Sequence, residues 1–180
     1  MSYIPMTEYE TASKEVKAEY DDQIAKHGRI TNMKRTLLHD VPSFKAYMEW
    51  YTLYDELVPV VGERAMQIFS YVISTGNDCL VCGSFFTKIL EDNGEDPSCL
   101  QLNETEEILS ALGSYMANDP HNIPDDLYAA LKEKFSDKVI VTLFAFGGLM
   151  YATNLFNTVA KVELDDVLNE HRYDKYKENN

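Results

Sequence analysis

Glycine and proline are scarce, with eight and six in 180 residues. All-β folds need many tight turns, so this scarcity argues against them, and no stretch alternates apolar and polar residues as a half-buried strand does. Basic residues are also few. Sixteen Lys and Arg stand against thirty Asp and Glu, a formal charge of −14, with no basic run. Such a surface repels phosphate and anionic lipid, which sets nucleic acid and membrane surfaces aside as partners. It also slightly disfavours anionic substrates. The first residues, Met1 to Glu8, lack the basic flank and apolar run of a secretory signal, so a cytoplasmic home is expected. Asn103-Glu104-Thr105 matches a glycosylation pattern that carries little meaning without secretion. Two catalytic patterns are missing. Gly83-Ser84 is not a G-x-S-x-G elbow, and no Lys follows Gly147-Gly148 as a phosphate loop requires.

What the chain does hold is apolar bulk at helical spacing. Hydrophobic residues make up 45% and aromatics 12%, enough for a core in one all-α domain spanning residues 1–180. Residues 1–27 read as an amphipathic arm, with Tyr9, Val16, Tyr20 and Ile24 on one face. Gly28 ends it, and Thr31 caps a short helix through Leu38. Pro42 opens the next helix, and Pro59 marks a boundary before a helix over 62–74 that buries Ile68, Phe69, Val72 and Ile73. A helix from Cys79 to Asp92 follows, capped by Asn77 or Asp78 and closed by Asn93-Gly94. Asp96-Pro97-Ser98 is a turn, and helices are expected over 105–116 and 124–135. From Val139 to Ala160 no residue is charged. A membrane span needs roughly 20 apolar residues, but Thr, Asn and Gly interrupt this stretch and no basic cluster flanks it. A long buried helix, central to the core or to an oligomer interface, is the expectation. Residues 169–180 form a polar tail expected to fray at its end.

Chemistry concentrates in Asp78-Cys79-Leu80-Val81-Cys82-Gly83-Ser84, which holds two of the three cysteines. Three residues apart at a helix start, Cys79 and Cys82 share one face and feel the positive end of the helix, which favours thiolate. Asp78 and the apolar flank of Leu80, Phe85 and Phe86 act in the opposite direction. The pair is read as redox-active, as half a zinc site, or as buried filler. Zinc needs four ligands, and Cys99 with His27, His39, His121 and His171 offers no matching second pair, so no metal and no cofactor is expected. Cys99 reads as core filler, and the histidines as ordinary surface or core residues.

The unit of helix, turn, C-x-x-C and helix resembles the alkylhydroperoxidase D-like and carboxymuconolactone decarboxylase family. Gly28-Arg29-Ile30-Thr31-Asn32, then Leu37-Leu38-His39-Asp40-Val41-Pro42, resembles the family's approach to its core. Phe135-Ser136-Asp137 and a long apolar helix ending Asn154-Leu155-Phe156-Asn157 resembles its C-terminal part, so the likeness covers residues 20–168. The resemblance implies an all-α fold, assembly into trimers or hexamers, and an antioxidant activity. A small hydroperoxide or disulfide is reduced through the cysteine pair, with Cys82 attacking, Cys79 resolving, and an external thiol restoring both. Two positions depart from the family pattern. Where the resemblance implies a relay glutamate and histidine, this chain has Gln67 and Phe86, neither of which moves a proton near neutral pH. Glu63, one turn before Gln67, is a candidate replacement whose alternative is a solvated surface acid. A relay-less binding or assembly protein, with a pocket lined by Phe85 and Phe86, is the alternative function. Lactone decarboxylation ranks third.

Overall fold

Side chains that cap and break helices divide the chain. The computed structural model describes residues 2–179, and side chains up to Tyr176. Eight α-helices carry it: α1 (Lys14–His27), α2 (Asn32–Leu37), α3 (Val41–Val61), α4 (Glu63–Gly76), α5 (Leu80–Asp92), α6 (Glu104–Asn118), α7 (Asp125–Lys134) and α8 (Asp137–Val159). No strand occurs among the described residues. Short 3-10 turns, Tyr9–Thr11, Asp166–His171 and Tyr173–Asn179, lie at the two ends.

The caps follow local chemistry. Thr31 and Ser136 accept from Lys34 N and Val139 N at the starts of α2 and α8, and Asn103 with Glu106 forms a reciprocal capping box on α6. Gly28 closes α1 in the left-handed conformation. Three expectations are corrected. The N-terminal arm is not one continuous helix: Ser13 caps α1 and separates it from the first 3-10 turn. Its inward face has also turned, since Tyr20 and Gln23 are buried while Ile24 is 47% exposed. Pro59 lies inside α3, which runs on to Val61 before Gly62 ends it. Proline there removes one hydrogen bond near the helix end, where few remain to lose.

Helix α4 is the axis of the molecule. It packs against α6, α5, α8 and α3, and Ala65, Met66, Ile68, Phe69 and Ile73 along it are buried. Phe69 and Phe146 of α8 stack at 6.0 Å in the main core. Each such ring contributes roughly 1.5–3 kcal/mol through removal from water. Gly113 lets α6 approach α4 closely, because a Cβ there would sit 3.1 Å from the Phe69 ring. Arg64 of α4 holds Glu95 at 3.0 Å and also pairs with Glu106, tying the α5–α6 connection down.

Helix α8 is only half inside. Ile140, Leu143, Phe146, Met150, Asn154 and Asn157 are buried, whereas Val141, Tyr151, Leu155 and Val159 are 45–68% exposed. It is long and apolar enough to cross a membrane, yet packs on α3 and α4 with a bare apolar stripe behind.

The polar tail does not hang loose within its described part. The Asp166–His171 and Tyr173–Asn179 turns lie on α5, with Leu168 1% and Tyr173 4% exposed. Tyr173 N donates to Ser84 Oγ at 3.3 Å, and its hydroxyl donates to Asp78. The ring covers Gly83 so closely that a Cβ there would meet it at 2.6 Å. Farther along, His171, Lys175 and Tyr176 converge on Glu91. Burial works to raise that carboxyl, but the three partners outweigh it and hold it at about 2. Asn180 lies outside the described residues.

Candidate active site

Asn77 and Asp78, expected as caps of α5, are not. Asp78 takes a left-handed backbone, φ 54°, which turns the chain so that Cys79 becomes the cap. Its Sγ accepts from Cys82 N at 3.4 Å. A sulfur thus occupies the place where a carboxylate or hydroxyl usually takes up a helix's first free N–H groups.

Both thiols are buried, Cys79 to 1% and Cys82 to 6% exposure, and neither forms a disulfide. Their environments differ. A hydrogen bond from the Cys82 thiol pulls Cys79 down to about 7 against the opposing effect of burial, helped by the backbone N–H groups of Cys82 and Val81. Cys82 is pushed well above its ordinary range by its bond to Cys79 and by burial. Of the two thiols, Cys82 therefore holds its proton more tightly. A third group acts on that sulfur: Asn157 Nδ2 of α8 donates to Cys82 Sγ at 3.1 Å and reaches Met33 Sδ of α2 at 3.4 Å. Asn157 Oδ1 is buried without a partner among the described residues.

Cys82 opens onto a cavity of about 350 Å³, and Cys79 lies behind it, outside the lining. That volume falls at the lower end of small-molecule pockets. The apolar wall includes Met48, Trp50, Phe85, Phe86, Met150 and Leu168. Phe85 and Phe86 meet edge to face at 5.2 Å. The polar wall comes from the α1–α2 region. Lys34, only 5% exposed, donates to Gln23 Oε1 at 2.5 Å and to Tyr51 Oη at 2.8 Å. Burial holds its amine down at about 8, with Arg29 acting in the same direction. His27 stacks on Tyr51 at 4.1 Å, and burial lowers its basicity. Asp165 borders the same cavity and accepts from Asn32 N at 3.0 Å. Burial raises its carboxyl.

Of the residues singled out in the sequence, the structure brings Cys79, Cys82 and Phe86 together. Gln67 is buried, but its amide oxygen accepts from Asn93 Nδ2 at 3.2 Å, and it is not on the cavity wall. Glu63 is exposed on the surface of α4 and also lies outside the cavity. Cys99 is exposed, so it does not fill the core. Lys34 and Tyr51 are not identified from the sequence, where His27 reads as an ordinary histidine and Asn157 only as the end of a C-terminal motif.

This arrangement of helices has solved counterparts. An uncharacterised peroxidase-related protein from Ralstonia eutropha JMP134, described as an alkylhydroperoxidase AhpD core, superimposes with a TM-score of 0.72 at 18% identity, over 93% of this chain and 94% of that one. The chain has the AhpD-core fold. A peroxidase-related protein from Silicibacter sp. TM1040 shares it with a TM-score of 0.72 at 15% identity, over 92% of this chain and 91% of that one. A protein of unknown function from Agrobacterium tumefaciens follows, at 0.60 and 18%, over 71% of this chain and 93% of that one. No protein-family model and no curated protein sequence matches the chain. At such identities the AhpD-core likeness speaks for the backbone. What the site does must come from its own residues.

Proposed function

We propose that the chain is a cytoplasmic thiol-dependent antioxidant protein that reduces hydroperoxides, or disulfides, through Cys82 and Cys79. The carrying observation is that Cys82 borders the cavity while Cys79 is bonded directly behind it. Cys79 takes over the proton work that Gln67 and Phe86 do not perform. The Cys82 proton passes to the Cys79 sulfur, and the Cys82 thiolate attacks the distal oxygen of a hydroperoxide. An S–O bond forms, the O–O bond breaks, and the alkoxide leaves as alcohol with the proton held by Cys79. The restored Cys79 thiolate then attacks the sulfenic sulfur, closing the disulfide and releasing hydroxide, which solvent protonates. An external dithiol reduces the disulfide and becomes oxidised itself. Asn157 stabilises the attacking thiolate through its amide N–H.

The test is peroxide consumption with a dithiol donor by wild type, Cys79→Ser and Cys82→Ser. Cys82→Ser is expected to fall to background. Cys79→Ser should turn over far more slowly and accumulate a trappable sulfenic acid on Cys82. Background turnover in wild type sinks the proposal.

That outcome would instead favour the relay-less binding protein, a reading motivated by Phe86 on the cavity wall and by Gln67 bound to Asn93. In either case we infer that a second copy of the chain covers the bare stripe of α8. Val141, Tyr151, Leu155 and Val159 run the length of that helix, and an apolar ridge of this kind marks an association surface.

A further inference from the structure

We propose that the cavity recognises a carboxylate: its ligand is a small organic acid with an apolar body, held at Lys34, Tyr51 and Arg29 in the cavity that Cys82 borders. In a protein of formal charge −14, Lys34 at this cavity stands out because no carboxylate is bound to it. Lys34 is 5% exposed, and its two acceptors, Gln23 and Tyr51, are neutral. Among the described residues no carboxylate pairs with it. A buried ammonium without a counter-ion is costly to maintain, and an anionic ligand removes that cost. Arg29 borders the same cavity, is exposed, and makes no hydrogen bond or ion pair among the described residues. Tyr51 receives the Lys34 N–H on its hydroxyl oxygen, which leaves its own O–H to donate to a ligand. Ammonium, phenol and guanidinium thus present a set of donors, the chemistry that takes up a carboxylate, and the charge of Arg29 already acts on Asp165, the carboxylate on the same wall.

Asp165 is the one acidic group on the wall. It is bound to the first backbone N–H of α2 rather than to Lys34. The rest of the lining, with Trp50, Met48, Phe85 and Met150, is apolar, which fits a hydrocarbon body and excludes a small, highly charged anion. Met33 contacts Asn157, which holds Cys82, and Met33 is the chain neighbour of Lys34. The cationic patch and the thiol therefore share a wall. Resting on the thiol reading above, the substrate class becomes a hydroperoxide of an organic acid, with the carboxylate at Lys34 and the peroxide at Cys82.

Trp50 is the only tryptophan and borders the cavity, so its fluorescence reports binding without any thiol chemistry. Octanoate and octan-1-ol serve as matched probes for reduced wild type, Lys34→Met, Lys34→Arg and Arg29→Gln. Octanoate should bind wild type about tenfold or more tightly than octan-1-ol, a difference of about one charge-assisted hydrogen bond. Lys34→Met should abolish that preference and leave octan-1-ol binding unchanged, while Lys34→Arg should retain part of it. Arg29→Gln, at an exposed position that cannot disrupt the core, should weaken octanoate alone by about threefold. Equal binding of acid and alcohol by wild type overturns the proposal, as does an undiminished preference in Lys34→Met. If Lys34→Met fails to fold, Arg29→Gln decides: a loss confined to octanoate supports the proposal, and no loss overturns it. Octanoate binding is read without any peroxide turnover, so octanoate preference without peroxidase activity sinks only the thiol reading.

Discussion

Cys79 and Cys82 are one helical turn apart, yet their sulfurs sit in opposite environments. The difference comes from position rather than residue type. Cys79 caps α5 and faces its free N–H groups, while Cys82 sits within the helix with its proton directed back at Cys79. Ultraviolet thiolate absorbance should therefore titrate with a midpoint at about 7. Cys79→Ser should remove that transition, leaving one for Cys82 that burial alone still holds above the ordinary thiol range. A second residue-scale expectation concerns Lys34. Its amine is held at about 8, below the ordinary 10.5, so the unfolded chain binds more protons between those values. Stability then rises with pH across that window. Denaturant melts of wild type and Lys34→Met from pH 7 to 11 should show wild type gaining on the variant above about 8 and levelling off above about 10.5. The full gain is bounded at about 3 kcal/mol by the size of the shift. A constant difference between the two proteins would show that Lys34 is solvated.

At the scale of elements, α5 depends on a contact that no local pattern announces. Gly83 has ordinary helical geometry, so its need for a bare Cα comes entirely from the Tyr173 ring above it. Gly83→Ala should destabilise the protein by about 1–3 kcal/mol through overpacking, despite alanine's better helix propensity. Adding Tyr173→Ala should recover much of the overpacking cost, a non-additivity that a double-mutant cycle would measure. Additive effects would mean the ring moves aside freely. Elements were the most legible level of the sequence, because caps are local. Thr31, Pro124 and Asn93-Gly94 punctuate the chain where their side chains predict. The failures were also local. Pro59 is tolerated because it falls in the last turns of α3, and Ser13 breaks a polar stretch whose periodicity runs on through it.

For the whole molecule, the exposed stripe of α8 sets the clearest expectation. Leu155→Glu and Val159→Asp, both at side chains more than half exposed in a single chain, should shift light-scattering mass toward one copy while leaving helical circular dichroism intact. Unchanged mass would remove the second copy from that face. The all-α class and the cysteine pair could be read from composition and spacing. The cavity could not, since its wall gathers residues from α1, α2, α3, α5, α8 and the tail, brought together only by tertiary packing on α3, α4 and α5. The tail carries a further consequence, in the order of synthesis. Tyr173 reaches Ser84 across 89 residues of chain. On the ribosome, α5 therefore exists long before Tyr173 arrives to cover Gly83, and its two thiols exist before Ala160 and Val162 arrive to pack on them. A nascent chain passes through a period when the pair lacks the packing that buries it in the finished protein.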